Sequence, residues 1–158
     1  MISLVPPVIA FTLLLSFAIA ADRDRADTSV SGELARDLLR HHEMHFRVAS
    51  EAGFPVGPVG TALPYPMQPL ADWRSEVVQE GGRRLVLTWA AGYGSDGVSP
   101  SAYRAVVDLL PARIGTTGVS GVISFPGVGG ARIGEVAVPA PEGPLPAGTP
   151  AILRGDGG

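Results

Sequence analysis

The chain contains no cysteine, no lysine and no asparagine, so all twelve of its basic residues are arginines. The absence of cysteine excludes disulfides, thiol nucleophiles and Cys-ligated metal sites, although a disulfide-free chain can occupy any compartment. Aromatic residues make up only 6% of the 158 residues, whereas glycine (Gly 21) and proline (Pro 15) are abundant. We therefore expect a loop-rich domain with a modest core.

The charge pattern excludes one class of partner. The net charge is −3, and the arginines are scattered along the chain with no basic stretch. A nucleic-acid-binding surface normally needs clustered positive charge. We therefore predict no nucleic-acid partner.

The segment Met1–Ala21 contains no charged side chain and is followed abruptly by the charged residues of Asp22–Asp27. About 20 apolar residues are enough for a helix that crosses the hydrocarbon core of a membrane. The segment therefore predicts a membrane anchor, whose principal apolar residues are Val8, Phe11, Leu13, Leu14, Leu15 and Phe17.

Two interpretations of this segment remain open. As an uncleaved anchor it places the chain in the inner membrane as a single-pass protein with its domain in the periplasm. Ala18–Ala20 also forms an A-x-A pattern, which is typical of a cleaved secretory signal and would release the domain near Ala20. Arg23 and Arg25 flank the far end of the segment, and the positive-inside rule taken alone would keep the domain in the cytoplasm, so the orientation stays open.

The rest of the chain divides into a polar linker over residues 22–32 and one domain over residues 33–155. Ser31 is the predicted N-cap of a helix that runs from about Glu33 to Ala52 and stops at Gly53. Helical spacing predicts a buried stripe on that helix and a surface pair between Glu43 and Arg47. The predicted stripe consists of Ala35, Leu38, Leu39, His42, Phe46 and Ala49.

A β-hairpin is predicted at Trp73–Gln79 and Arg83–Ala90, and Ser99-Pro100 predicts the start of a second helix that ends near Leu110. Further strands are predicted at Gly121–Phe125, Gly134–Val138 and Pro150–Arg154. This order predicts an α+β fold, in which an amphipathic helix packs on a small antiparallel sheet, pilin-like in outline.

All three histidines, His41, His42 and His45, fall within about one turn of the first helix. His41 and His45 have the i,i+4 spacing that can hold a metal, but no further histidine completes a site and the order is not H-E-x-x-H. His42 lies in the middle of the apolar stripe. We therefore predict packed structural histidines, with no metal site and no cofactor.

Two other motifs give little support for a binding or catalytic site. Gly92–Gly97 matches G-x-G-x-x-G, but the following helix begins several residues later and the acidic partner of a dinucleotide site is missing, so we interpret it as a glycine turn. Ser120 lacks the G-x-S-x-G context of a nucleophile. Asp22, Asp24 and Asp27 are interpreted as solvated charges. No catalytic residue is predicted, and we expect a protein that is not an enzyme.

From Leu38 to Arg154 the order of segments resembles that of the small PilM proteins of conjugative type IV (thin) pilus systems. The resemblance rests on the N-terminal apolar segment, the helix LLRHHEMHFRVASEAGF, the segment VGPVGTALPYP at Val56–Pro66, Trp73 before Val77-Val78, and Leu145–Ile152. It implies a structural or assembly component of pilus biogenesis whose partners are other pilus assembly proteins or pilin subunits.

The chain also differs from true pilins. A prepilin has a basic leader, a glycine before the cleavage point and usually a glutamate after it, and its membrane helix continues into the domain. None of these residues precedes the apolar segment, and Thr28–Gly32 is predicted to interrupt the helix. We therefore expect an accessory role. The alternatives are an exported soluble binding module for a small ligand or protein, with its site at Gly92–Gly97, and a metal-dependent hydrolase that uses the histidines.

Overall fold

The structure is a computed structural model, and it describes residues 29–60, 69–111, 113–114, 117–125 and 130–155. The predicted membrane anchor and most of the predicted linker lie outside the described residues. Within them the fold is α+β, as predicted, with two helices and an antiparallel sheet.

The first helix, α1, spans residues 29–51 and is already formed at the first described residue. The prediction that it starts at Glu33 with Ser31 as N-cap is therefore wrong, because residues 29–32 are already helical. Ser31 is completely buried, and its hydroxyl donates to the carbonyl of Ala102 in the second helix at 3.0 Å. This long-range hydrogen bond gives the Ser31 hydroxyl a partner while Ser31 itself is helical, so Ser31 does not act as the N-cap.

The end of α1 agrees with the prediction. Gly53 has a φ of +74° and Phe54 a φ of +52°, and the amide of Phe54 donates to the carbonyl of Ala49 at 2.7 Å. Helices commonly end with a residue in the left-handed backbone conformation, after which an amide donates back to a carbonyl of the last turn. Glycine adopts this conformation without steric cost.

The strands form one antiparallel sheet in the order β1-β2-β3-β8-β5-β6-β7, with β4 paired to β5. Their bounds are β1 Gly57–Pro58, β2 Trp73–Glu80, β3 Arg83–Ala90, β4 Arg113–Ile114, β5 Gly118–Ser124, β6 Ala131–Ile133, β7 Val136–Val138 and β8 Pro150–Gly155. The sheet places β8, the last strand, in the centre between β3 and β5.

The hairpin of β2 and β3 is confirmed. Its two-residue turn is Gly81-Gly82, with φ values of +56° and +82°. Positive φ at both central residues is what the type I′ turn requires, and this turn matches the twist of antiparallel strands. The register therefore pairs Trp73 with Ala90 and Val77 with Val86.

The second helix, α2, spans Pro100–Leu109, and both of its predicted boundary signals are confirmed. The Ser99 hydroxyl accepts a hydrogen bond from the amide of Ala102 at 3.1 Å. Proline at the first helical position loses no hydrogen bond, because that amide has no partner inside the helix. Leu110 caps the other end, before Pro111.

The two faces of the sheet are buried by different elements. One face packs against both helices through a cluster that includes Leu34, Leu38, Trp73, Tyr103 and Ile152. Leu85, Leu87 and Trp89 alternate onto the opposite face, as predicted, and pack there with residues of β6 and β7. The sheet is therefore covered on both sides.

The hairpin of β6 and β7 corrects one predicted strand. The predicted strand Gly134–Val138 is shorter, because Gly134 has a φ of +58° and lies in the turn between β6 and β7. The strand β6 was not predicted. It lies close over β5, where a Cβ at Gly121 would come within 2.9 Å of the Ile133 side chain.

Candidate functional site

The predicted anchor residues Val8, Phe11, Leu13, Leu14, Leu15 and Phe17 lie outside the described residues. In the part of the chain that the structure describes, no helix is long and apolar enough to cross a membrane. Among the described residues, four places bear on function: the histidines of α1, the Gly92–Gly97 loop, Ser120, and the outer side of α1.

The three histidines form a cluster, here called the histidine cluster, between α1 and the sheet. His42 is completely buried, and its Nδ1 lies 2.9 Å from the Thr88 hydroxyl on β3. The Thr88 hydroxyl is in turn 2.9 Å from the Ser75 hydroxyl on β2. The prediction that His42 is a packed, hydrogen-bonded core residue is therefore confirmed.

His41 and His45 lie one turn apart on α1 and stack on each other. Their ring centroids are 4.1 Å apart with an angle of 29° between the planes. His45 is only 2% exposed, although helical spacing did not place it in the buried stripe. It was missed because its burial depends on what packs beside α1, which the period of a helix alone does not predict.

Four ring nitrogens of the cluster are buried and have no hydrogen-bond partner among the described residues. They are Nε2 of His41, Nε2 of His42, and both nitrogens of His45. Buried polar atoms are normally paired, so a group with this many exceptions needs an explanation.

Burial holds the histidines in the neutral form. It lowers the pKa of His41 to about 4, helped by the charge that His45 would carry and opposed by the nearby Asp37 carboxylate. Burial, with smaller contributions from Arg154 and the other histidines, lowers the pKa of His42 to about 3. Burial also lowers the pKa of His45. Desolvation disfavours the charged imidazolium at each position.

A metal at this cluster would have few ligands. Within the described residues, no group of three or more His, Asp or Glu side chains is arranged so that it could hold a metal ion. The Asp37 carboxylate, one turn before His41 on α1, already accepts two hydrogen bonds at its Oδ2, from the Trp73 indole at 2.8 Å and from the Leu70 amide at 2.7 Å.

The Gly92–Gly97 loop is organised around Asp96. One carboxylate oxygen of Asp96 accepts from the Val98 amide at 3.1 Å, and the other accepts from the Tyr103 hydroxyl. Burial and the Asp96 carboxylate raise the pKa of Tyr103 well above its usual range. The interpretation as a glycine turn agrees with this geometry, since the loop directs its own Asp96 carboxylate at α2, whereas a phosphate-binding loop presents backbone amides.

Ser120 is placed away from the histidines. Its hydroxyl donates to the carbonyl of Pro111 at 2.7 Å, whereas His42 is directed at Thr88. Nucleophilic catalysis needs a base within hydrogen-bonding reach of the serine. The described geometry gives Ser120 a structural hydrogen bond.

The outer side of α1 carries an ion pair to the sheet. The predicted partner of Glu43 was Arg47, but its carboxylate bonds to Arg154 of β8 at 2.8 Å. The Arg154 guanidinium also lies 4.0 Å from the centroid of the Phe46 ring. A shallow depression of about 400 Å³ adjoins them, lined by Glu43, Met44, Phe46, Arg47, Ser50 and Glu51. This surface is called the α1 outer surface below.

Comparisons with models of known protein families, with curated proteins and with solved structures found no match for this chain.

Proposed function

We propose that the chain is a non-enzymatic assembly component of a conjugative type IV pilus system, anchored at the inner membrane with its domain in the periplasm. The observation that carries the proposal is the short distance along the chain between the apolar segment and the packed domain. Met1–Ala21 is followed after seven residues by α1, which is already packed at Ser31. The resemblance to the small PilM proteins, which rests in part on the apolar N-terminal segment and this helix, implies such a component.

The polar groups of the described residues support a role without catalysis. Ser120, Asp96, Tyr103 and His42 each bond to another group of the fold. A catalytic site would instead direct such groups at a shared position for the substrate. Their use within the fold favours a protein that acts through its surface.

The α1 outer surface is the proposed contact for other pilus subunits. It combines the half-buried Phe46 and Met44 with the charged Arg47 and Glu51 around one depression. Interfaces between proteins commonly have an apolar centre with aromatic residues and methionine, surrounded by a polar rim.

Fractionation of a Gram-negative host that expresses the full chain tests the location. We expect full-length protein in the inner membrane, with a domain that protease cuts in spheroplasts and not in intact cells. A soluble periplasmic product that begins near Ala21 would instead favour the exported binding module. A domain that stays in the cytoplasm would contradict both.

A charge reversal on the α1 outer surface tests the function. Arg47→Glu should reduce conjugation through the thin pilus at least tenfold while the protein remains at normal abundance. Arg104→Glu is the matched control, because it makes the same charge change at another exposed helical arginine, on α2. Equal conjugation by both variants would contradict a partner contact at this surface, and unaffected conjugation on deletion of the whole gene would contradict the proposed function.

A further inference from the structure

The histidine cluster lies where α1 is held on the sheet. His42 connects the middle of α1 to β3 through Thr88 and to β2 through Ser75. Apolar contacts continue on both sides of it, with Leu38 one turn earlier and Ala49 two turns later, and both side chains are at most 1% exposed. A change in the charge of these rings therefore acts on the interface between α1 and the sheet.

Protonation would place like charges next to one another. The rings of His41 and His45 are 4.1 Å apart, so two imidazolium groups there would repel at close range in a site shielded from water. A charged His42 would in addition face the Arg154 guanidinium on β8, which already disfavours its protonation.

The acidic groups near the cluster are hydrogen-bonded to other parts of the fold. Asp37 is the carboxylate that attracts a proton to His41, but it accepts hydrogen bonds from Trp73 and Leu70. Glu43, the other carboxylate on this part of α1, is bonded to Arg154. The side chains that face His42 from β2 and β3, Ser75 and Thr88, are neutral. Among these groups, only Asp37 offsets the charge of a protonated cluster, and at His41 its effect is outweighed by burial.

We propose that the histidine cluster is an acid-sensitive latch, which holds α1 on the sheet while the imidazoles are neutral and releases α1 when they are protonated. The released helix binds protons at the ordinary imidazole pKa of about 6.5, whereas the packed helix does not. Each histidine that is protonated only after release therefore raises the opening equilibrium constant about tenfold per pH unit below pH 6.5. This inference does not depend on the proposed function.

The sign of the effect follows from the lowered pKa values of the packed state. Attachment of α1 is strongest above pH 6.5 and weakens as the pH falls toward the packed-state pKa of about 4 for His41. Between pH 7 and pH 5 the histidines titrate and ordinary carboxylates, with pKa values near 4, remain largely charged. This window separates the latch from general acid denaturation.

The absence of native cysteine allows opening to be measured with single reporter thiols. Ala49→Cys places a thiol on the packed side of α1, and Ala151→Cys places one in the central strand β8 on the opposite face of the sheet; the alanines are 1% and 0% exposed. The full chain in detergent is labelled with 4,4′-dithiodipyridine at pH values from 7.5 to 5.0, and each rate is normalised to that of a free thiol peptide.

We expect labelling at position 49 to accelerate at least tenfold between pH 7 and pH 5.5, with little change at position 151. His41→Gln and His45→Gln should each reduce this acceleration several-fold, and His41→Gln is the safer variant because His41 is only partly buried. Labelling at position 49 that does not depend on pH, equal acceleration at both positions, or an acceleration unchanged by both histidine variants would each overturn the proposal.

Discussion

The carboxylate of Asp37 provides the most direct quantitative test of how α1 is attached. Its Oδ2 accepts from the Trp73 indole at 2.8 Å and from the Leu70 amide at 2.7 Å. In Asp37→Ala the indole N–H of Trp73, which is 5% exposed, loses its partner, whereas the amide of the exposed Leu70 can turn to water. We therefore expect the variant to be less stable than the wild type.

The expected size follows from these two bonds. A hydrogen bond to a charged group contributes about 1.5–3 kcal/mol, and a buried donor without a partner costs about 1–3 kcal/mol, so the Trp73 contact dominates. Alanine has a better helix propensity than aspartate, which offsets about 0.5 kcal/mol. The net loss in the free energy of unfolding should be about 2 kcal/mol, which corresponds to a fall in Tm of about 4–8 °C for a chain of this size.

Urea denaturation at pH 7.5, followed by circular dichroism, measures this loss. Asp108→Ala is the matched control, because it removes an exposed carboxylate near the C-terminal end of α2 and should be neutral or slightly stabilising. A double-mutant cycle with Trp73→Phe isolates the contact, and Asp37→Ala should cost about 1 kcal/mol less in that background. A coupling energy near zero, or equal losses for Asp37→Ala and Asp108→Ala, would refute the reasoning.

Three further predictions concern other elements. Gly32→Ala should raise the free energy of unfolding by about 0.5–1 kcal/mol, because Gly32 lies inside α1 and a Cβ there would meet open space. Gly82→Ala should lower the free energy of unfolding by about 1–2 kcal/mol, because Gly82 has a positive φ. Urea denaturation of both variants tests the corrected start of α1. Glu76→Ala should increase hydrogen exchange over residues 139–149, because its carboxylate accepts from the amides of Glu142 and Gly143, and unchanged exchange would contradict this. Tyr103→Phe should lower Tm by a few degrees through loss of its bond to Asp96, and a Tm equal to that of the wild type would contradict it.

The parts of the fold that the sequence predicted correctly depend on local chemistry. Gly81-Gly82 supplies the positive φ values of a hairpin turn, and Ser99-Pro100 supplies a cap and a first helical residue. These signals act within four residues, so they do not require knowledge of the rest of the chain. The alternation of Leu85, Leu87 and Trp89 likewise follows from the pleat of the strand.

The errors have the opposite origin. Ser31 has the chemistry of an N-cap, but it bonds to a carbonyl 71 residues away inside a continuing helix. Glu43 has a favourable partner in Arg47, yet it bonds to Arg154, which β8 brings beside α1 from 111 residues away. In each case a tertiary contact replaced the local one, and a single sequence does not reveal such partners.

In the candidate site too, local features were predictable from the sequence and tertiary contacts were not. The position of His42 in the apolar stripe was enough to predict its burial, whereas the burial of His45 and the stacking of His41 on His45 depend on the elements around α1. Asp37 was not singled out, because nothing in its sequence neighbourhood indicates that Trp73 lies beside it. The residue types of the cluster were visible in the sequence, but the four buried ring nitrogens without a partner among the described residues were not.

The corrected start of α1 also limits where the domain can act, if Met1–Ala21 is an anchor. Only seven residues separate Ala21 from the first described residue of α1. A chain of seven residues spans at most about 25 Å when fully extended. The domain would therefore stay close to the membrane, and the buried hydroxyl of Ser31, bonded to α2, would fix its orientation relative to α1. The α1 outer surface begins at Glu43, about 20 Å further along α1, so under the proposed anchoring a partner that contacts it would lie within a few tens of ångströms of the same membrane.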